Sequence, residues 1–344
     1  MTKHVFLVLA GLAALLACGQ SLAAAEQARR FSLLEAVKDP LLQNTLYRME
    51  VESLRRPPHF APDGAMGQND KWQRGTAPEW FIEGQRWGAE TVQVAIAMNN
   101  DALLRQGWLV LGWGFAKQSK DGGFAGTGDP FHSTSLFVEG AARALLLMQE
   151  SGDAKQARTV KKYAPALHAA ALWLLRPELV RKYDAPYTHR RYILAAALGQ
   201  TAAVVGDAAL AQAAAAYARD GLKLQRADGV NPEKGGYDVN YQMVGVMMAA
   251  RYYAVCDDAE LRARLRAMMV RAGEFEMTKI DAQGVISIEG STRMGHEPGR
   301  GGKIKTVSYK EVLQAFLLAS QITGERRFRA AAERIAVGQK WLKR

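Results

Sequence analysis

Helical periodicity that breaks and restarts on a steady rhythm is the feature that most constrains this chain. Apolar residues recur at helical spacing over 31–54, 79–98, 102–118, 133–150, 154–174, 189–205, 208–225, 241–255, 260–279, 309–322 and 325–342. Several segments are Ala-rich, as at Ala195–Ala197 and Ala213–Ala216. Alanine has the best intrinsic helix propensity, and its small side chain lets neighbouring helices approach closely. Helix starts at His132, His189, Tyr241 and Tyr309 lie 57, 52 and 68 residues apart. Each interval holds two helices and a tight turn, the turns falling at Gly152-Asp153, Gly206-Asp207, Asp257-Asp258 and Gly324-Glu325. A two-helix unit of roughly fifty residues marks an array of helical hairpins. Strand–helix alternation is absent, which argues against a doubly wound sheet or a TIM barrel. Only Gly284–Glu289 reads as a strand.

Such an array is either an open solenoid or a closed toroid. The long loops rich in Gly, aromatic and charged residues all fall at one end of the hairpins, and the opposite turns are short. That asymmetry concentrates chemistry at one mouth and favours the toroid. The expected fold is all-α: a single-domain, incomplete (α/α)5-6 toroid over 26–344, with at most a small β-hairpin near 284–306.

Residues 1–25 read as a signal peptide. Lys3 and His4 precede thirteen apolar residues, Val5 to Ala17, and Ala23-Ala24-Ala25 offers a cleavage site. Thirteen apolar residues are too few for a membrane-spanning helix, which needs about twenty. Leu15-Leu16-Ala17-Cys18 also resembles a lipoprotein box, which would place a lipid on Cys18. The expected location is therefore periplasmic or secreted, with an outer-membrane lipoprotein as the variant. Cleavage after Ala25 removes one of the two cysteines and leaves Cys256 without a disulfide partner. No Cys/His group has zinc-ligand spacing, so neither a metal nor another cofactor is expected. Gly301-Gly302-Lys303 lacks the rest of a phosphate-binding loop.

Charge then narrows the partner. Lys and Arg number 45 against 34 Asp and Glu, a formal +11. A cationic surplus suits an anionic partner, and export turns that expectation from nucleic acid towards an acidic polysaccharide, bound by a monomer. The surplus gathers on the long loops: Lys120, Arg190, Arg191, Lys234, Arg293, Arg300, Lys303 and Lys305. Loops on a rigid scaffold are where binding and catalysis collect. Beside these cations stand His132, Tyr187, His189, Tyr241 and His296, with Asp121 and Asp238 in a matching layout, each beside a Gly-Gly pair and an aromatic residue, Gly122-Gly123-Phe124 and Gly235-Gly236-Tyr237. Trp80 on the first hairpin is a candidate stacking face for a sugar ring.

Tyr187-Thr188-His189-Arg190-Arg191-Tyr192 at one helix start, followed 52 residues after His189 by Asn240-Tyr241-Gln242, resembles the α/α-toroid polysaccharide lyases, the alginate lyases most of all. In that family an Asn-His pair opens one inner helix, a Tyr opens a later one, and an Arg joins them in a cleft. The resemblance spans the layout of 120–320 and about a dozen motif residues. It implies catalytic roles for Tyr241, His189, Arg190 and His132, with Lys234, Arg293, His296, Asp121, Asp238, Tyr187 and Trp80 binding substrate. Thr188 stands in place of the family's Asn and Lys234 in place of its Arg, which leaves the subfamily open.

The chemistry can be stated independently. Cleaving a 4-linked uronic acid by β-elimination removes the C5 proton beside a carboxylate and expels the C4 oxygen. Cations must neutralise the carboxylate as charge develops, and an acid and a base must reach the oxygen and the proton. Tyr241 and His189 fit the acid/base work, and cations nearby are expected to lower the phenol's pKa. The rival is a glycoside hydrolase, which needs paired carboxyl groups; Asp121, Asp129, Asp184, Glu233 and Asp238 lie on the same loops. Turn or helix-cap duty is the ordinary role of such residues. A third class is a glycan-binding helical-repeat protein without turnover.

Overall fold

What each helix buries decides where it sits. The structure is a computed structural model that describes residues 31–47, 61–182, 187–299 and 302–341. Among these, ten long helices alternate between two burial patterns: α1 (Trp87–Ala97), α2 (Asp101–Ala116), α3 (Pro130–Glu150), α4 (Ala154–Leu174), α5 (Thr188–Val205), α6 (Ala208–Leu224), α7 (Val239–Tyr253), α8 (Ala259–Met277), α9 (Tyr309–Thr323) and α10 (Arg326–Gly338). The odd-numbered helices are buried all round; α3 is covered from Ser133 to Met148, and α5 from Tyr192 to Ala202. The even-numbered ones bury a stripe, as at Leu210, Ala214, Ala218 and Gly221 of α6. A helix apolar all round belongs inside and a striped one outside. The odd helices therefore form an inner ring and the even ones an outer layer.

The inner helices pack in chain order, α1 on α3, α3 on α5, α5 on α7 and α7 on α9. The short helix Pro40–Leu46 touches both α9 and α1 and closes the circle. This is an all-α toroid of five hairpins, and Leu33–Arg344 forms one compact unit. Short acidic or amide caps start the outer helices. Asn100, Asp153, Asp207 and Asp258 each accept backbone N–H bonds from the first turn of α2, α4, α6 and α8.

At the opposite end, one turn recurs. Asp121 accepts the Gly123 N–H, and Asp228 accepts the Val230 N–H. The glycine inside each turn has positive φ, +92° at Gly122 and +90° at Gly229. A Cβ there would lie 2.4 Å from Ala169 O on α4, or 2.4 Å from Arg271 O on α8. Only glycine lets the turn dock so closely on the outer helix ahead. Gly64 on α2 and Gly284 on α10 repeat the arrangement. Gln118 and Gln225 then bridge turn and helix, each donating to a carbonyl on both sides.

A buried charge cluster crosses the middle of the ring. Arg143 on α3 donates to Glu139 at 3.0 Å and to Glu90 on α1 at 2.9 Å. Arg251 on α7 donates to Glu139 at 3.1 Å and Glu90 at 3.3 Å, and reaches Gln314 on α9 at 3.5 Å. Gln200 of α5 donates to the Arg251 carbonyl. Four inner helices, α1, α3, α7 and α9, thus meet through two carboxylates and two guanidiniums, and α5 joins them through the Arg251 backbone carbonyl. Burial alone would raise the Glu90 carboxyl, but Arg143 and Arg251 outweigh it and hold it below its ordinary range.

Some expectations change. The helix expected over 31–54 is interrupted within its described part: Leu33–Val37 and Pro40–Leu46 are separate because Asp39 caps the second, with Pro40 at its first position. The strand expected at 284–289 is only an isolated bridge, Ile280 with Ile286, and a second bridge joins Pro298 to Ile304. The signal peptide, the Cys18 lipid site, Asp184 and Arg300 lie outside the described residues. Among the described residues no helix is long and apolar enough to cross a membrane.

Candidate active site

The first turns of α3, α5, α7 and α9 carry His132, His189, Tyr241 and Glu311. Helix N-termini bear partial positive charge and favour anions. Two loop carboxylates fix the geometry. Asp238, fully buried, caps α7 by accepting the Asn240 and Tyr241 N–H groups at 3.1 and 2.9 Å. Its other oxygen accepts Ser291 Oγ at 2.8 Å and Met294 N–H at 3.2 Å. Asp238 therefore aims Tyr241 and pins the loop bearing Arg293 with one side chain.

Glu233 does the equivalent for α5. It accepts the His189 backbone N–H at 2.9 Å, and Thr188 Oγ1 donates to the neighbouring Pro232 carbonyl at 2.8 Å. The second Glu233 oxygen lies 2.8 Å from His189 Nδ1. That contact lies off the line of a hydrogen bond, and neither atom has another hydrogen-bonding partner. Both side chains are almost wholly buried, so the imidazole is held by a carboxylate shielded from water.

Around His189 the aromatic rings converge. Its ring centroid is 4.4 Å from that of Tyr241, 5.9 Å from Tyr187 and 6.1 Å from His132. Arg293 lies over the Tyr241 ring at 4.0 Å and over Tyr187 at 5.4 Å, and Arg190 lies over Tyr187 at 4.7 Å. Lys305 sits 5.6 Å from the Tyr241 centroid. Burial pushes the Tyr241 phenol up to about 12, although Arg293 pulls it the other way. The lowering expected from the nearby cations is thus outweighed by loss of solvent, and Tyr241 carries its proton at neutral pH.

Glu297 gathers the cations. Arg293 and Lys305 donate to its Oε2 at 2.6 Å each, and Lys234 contacts Oε1. Burial alone would raise this carboxyl; the bonds from Lys234, Lys305 and Arg293 bring it down to about 2. On the α9 side, Asn240 donates to Glu311 at 3.1 Å and accepts the Ser308 N–H.

Of the residues singled out from sequence, the structure brings together His132, Tyr187, His189, Arg190, Tyr241, Arg293 and Lys234. Three others have separate surroundings. Asp121 accepts from Trp173 and Arg176 and anchors its turn to the outer layer. Trp80 is 5% exposed, packed against Trp72, Trp113 and Phe124, and offers no free face to a sugar. Trp72, at 36%, is the exposed ring of that group. His296 is exposed and follows the Arg293 turn by a backbone bond. The sequence gives Glu297 and Glu311 no place in the site, names Asn240 only as part of the Tyr241 motif, and leaves Glu233 unlinked to His189. A single acid inside the basic run from Arg293 to Lys305 was the available signal for Glu297. Among the described residues no three His, Cys, Asp or Glu side chains converge as a metal-ligand set.

No family model matches the chain, and no curated protein matches it. Solved structures do resemble it in fold. The Lin0763 protein of Listeria innocua aligns with a TM-score of 0.48 at 13% identity, covering 89% of this chain and 88% of that one. The α-1,6-mannanase GH76A of Salegentibacter sp. HEL1_6, as inactive variants in complex with α-1,6-mannotriose or α-1,6-mannotetrose, aligns with a TM-score of 0.46 at 11% identity, covering 85% of this chain and 99% of that one.

Proposed function

We propose that the chain is a polysaccharide lyase that cleaves a uronic-acid-containing glycan by β-elimination at the mouth of the toroid. The observation that carries this reading is the contact of His189 with Tyr241 at 4.4 Å, with Arg293 stacked 4.0 Å over the phenol. An acid, a base and a carboxylate-neutralising cation are the three parts β-elimination requires. His189, anchored by its backbone N–H on Glu233 and with Nδ1 2.8 Å from the same carboxyl, takes the C5 proton on its other ring nitrogen. Arg293 and Lys305 offset the charge that builds on the sugar's carboxylate. Tyr241, protonated because its phenol sits at about 12, gives its proton to the departing C4 oxygen. The C5–H and C4–O bonds break, a C4–C5 double bond forms, and no water is consumed.

Hydrolysis is the second reading. In its favour, Glu311 and Glu297 both act electrostatically on the Tyr241 phenol, so carboxylates border the same ring. Against it, Asp129 pairs with Arg190, Asp238 is spent on capping, and Glu297 at about 2 cannot serve as a protonated general acid. Incubation with alginate, polygalacturonate and glucuronate polymers separates the two. New reducing ends accompanied by ultraviolet absorbance of a conjugated double bond support elimination. Reducing ends without that absorbance refute it.

A further inference from the structure

Three cations of the mouth share one carboxylate that is part of the protein. Arg293 and Lys305 both lie over the Tyr241 ring, at 4.0 and 5.6 Å, and both donate to Glu297 Oε2 at 2.6 Å. Lys234 reaches the other oxygen from the loop that also supplies Glu233. We infer that Glu297 is an internal stand-in for a sugar carboxylate, occupying a site built by Arg293, Lys305 and Lys234 until an anionic glycan displaces it. The inference rests on the reading that this mouth takes an acidic glycan, and it adds how the free site is kept.

Holding the loop together does not require this cluster. The hairpin is already closed by backbone bonds, Gly295 N–H to Lys305 O at 2.9 Å, Lys305 N–H to Glu297 O at 3.0 Å and Gly299 N–H to Lys303 O at 2.8 Å. Its base is pinned separately by Asp238 through Ser291 and Met294. A single exposed ion pair contributes little to stability, yet here three cations from two loops face one acid beside the proposed proton donor. Without a carboxylate they would repel one another and swing towards water. With Glu297 present they stay assembled over Tyr241, in the place where an incoming carboxylate would need them. Glu297 is about a quarter exposed and Lys234 more so, which leaves the cluster reachable from solvent. The preassembled cations shorten the ordering needed on binding, and the competing internal anion weakens the affinity.

The opposite account makes Glu297 a brace that positions Arg293, and the two differ in sign. The test is isothermal titration of the full chain with tetragalacturonate and tetramannuronate, using maltotetraose as the neutral control. Glu297→Gln is expected to bind at least one acidic tetramer about threefold to tenfold more tightly than the wild type, with a steeper loss of affinity in salt. Lys305→Gln is expected to bind more weakly, and maltotetraose to show no change in either. Unchanged or weaker binding by a folded Glu297→Gln variant overturns the inference, as does the absence of binding by both wild type and variant. Failure of the lyase reading looks different. If affinity tightens but no unsaturated product forms, the stand-in role survives and elimination does not. If unsaturated products form while Glu297→Gln binds no more tightly, elimination survives and the stand-in does not.

Discussion

Replacing Arg251 with Leu tests the idea that buried charge ties inner helices together across the ring. In the wild type, Glu90 Oε1 accepts from both Arg143 and Arg251, and Glu139 gives one oxygen to each arginine. Two positive and two negative charges balance, all at least nine-tenths buried. Removing Arg251 leaves a net negative charge in the core and strips a donor from each carboxylate. Breaking a buried pair by deleting one partner costs about 3–5 kcal/mol. A unit of roughly 310 residues has an unfolding entropy near 0.65 kcal/mol/K, from about 2.1 cal/mol/K per residue. The expected fall in Tm is then about 5–8 °C by scanning calorimetry at pH 7. Adding Glu139→Gln to Arg251→Leu restores neutrality, and the double variant is expected to lose less than the sum of the single losses. A shift under about 2 °C, or strictly additive losses, refutes the claim that the cluster ties the inner helices together.

Other outcomes follow from particular contacts. Glu90 has a depressed pKa, so its contribution is present above the ordinary value of 4.5 and lost as pH falls through the folded one; acid titration should show stability declining below about pH 4.5, less so in Arg251→Leu. Glu276 is the reverse: burial raises it well above 4.5, and its Oε1 has no hydrogen-bonding partner. Stability linked to its proton is present below 4.5 and lost as pH rises through the folded value, so Glu276→Gln should raise Tm at pH 8 and leave it little changed at pH 4. Gly229→Ala forces a Cβ to 2.4 Å from Arg271 O at positive φ, whereas Gly235→Ala at φ +83° meets nothing within 4 Å. Denaturant melts should show about 2–4 kcal/mol lost in the first and about 1 in the second. Glu233→Gln should lower kcat on the active polymer about a hundredfold with KM little changed, since His189 loses its carboxylate; equal kinetics would remove Glu233 from the account.

The toroid is written in the sequence because a helix buried all round and a striped helix differ in pattern, and they alternate at a two-helix period. The short turns were equally readable, since Asp153, Asp207 and Asp258 are helix caps by residue type and position. In the long loops the letters mislead. Gly122-Gly123 and Gly235-Gly236 look equivalent as letters, yet the structural match to Gly122 is Gly229, which meets an outer-helix carbonyl while Gly235 meets open space. Contact with a carbonyl from a later helix leaves no local trace. The meeting of His189 with Tyr241 follows from their equivalent positions on adjacent inner helices. Glu233 and Glu297 were not assignable in the same way, because their partners come from other loops. Trp80 shows the converse error: an aromatic residue near a mouth is indistinguishable by sequence from one packed beneath it.

The central claim is that His189 and Tyr241 carry out elimination at a cationic mouth, and product mass tests it most directly. The account predicts that the wild type releases oligouronates one water lighter than hydrolysis products, unsaturated at the new non-reducing end. Tyr241→Phe, with its fold intact by circular dichroism, should bind the same polymer and release about a hundredfold to ten-thousandfold less. Saturated oligouronates carrying an added water, or undiminished unsaturated product from Tyr241→Phe, would contradict it.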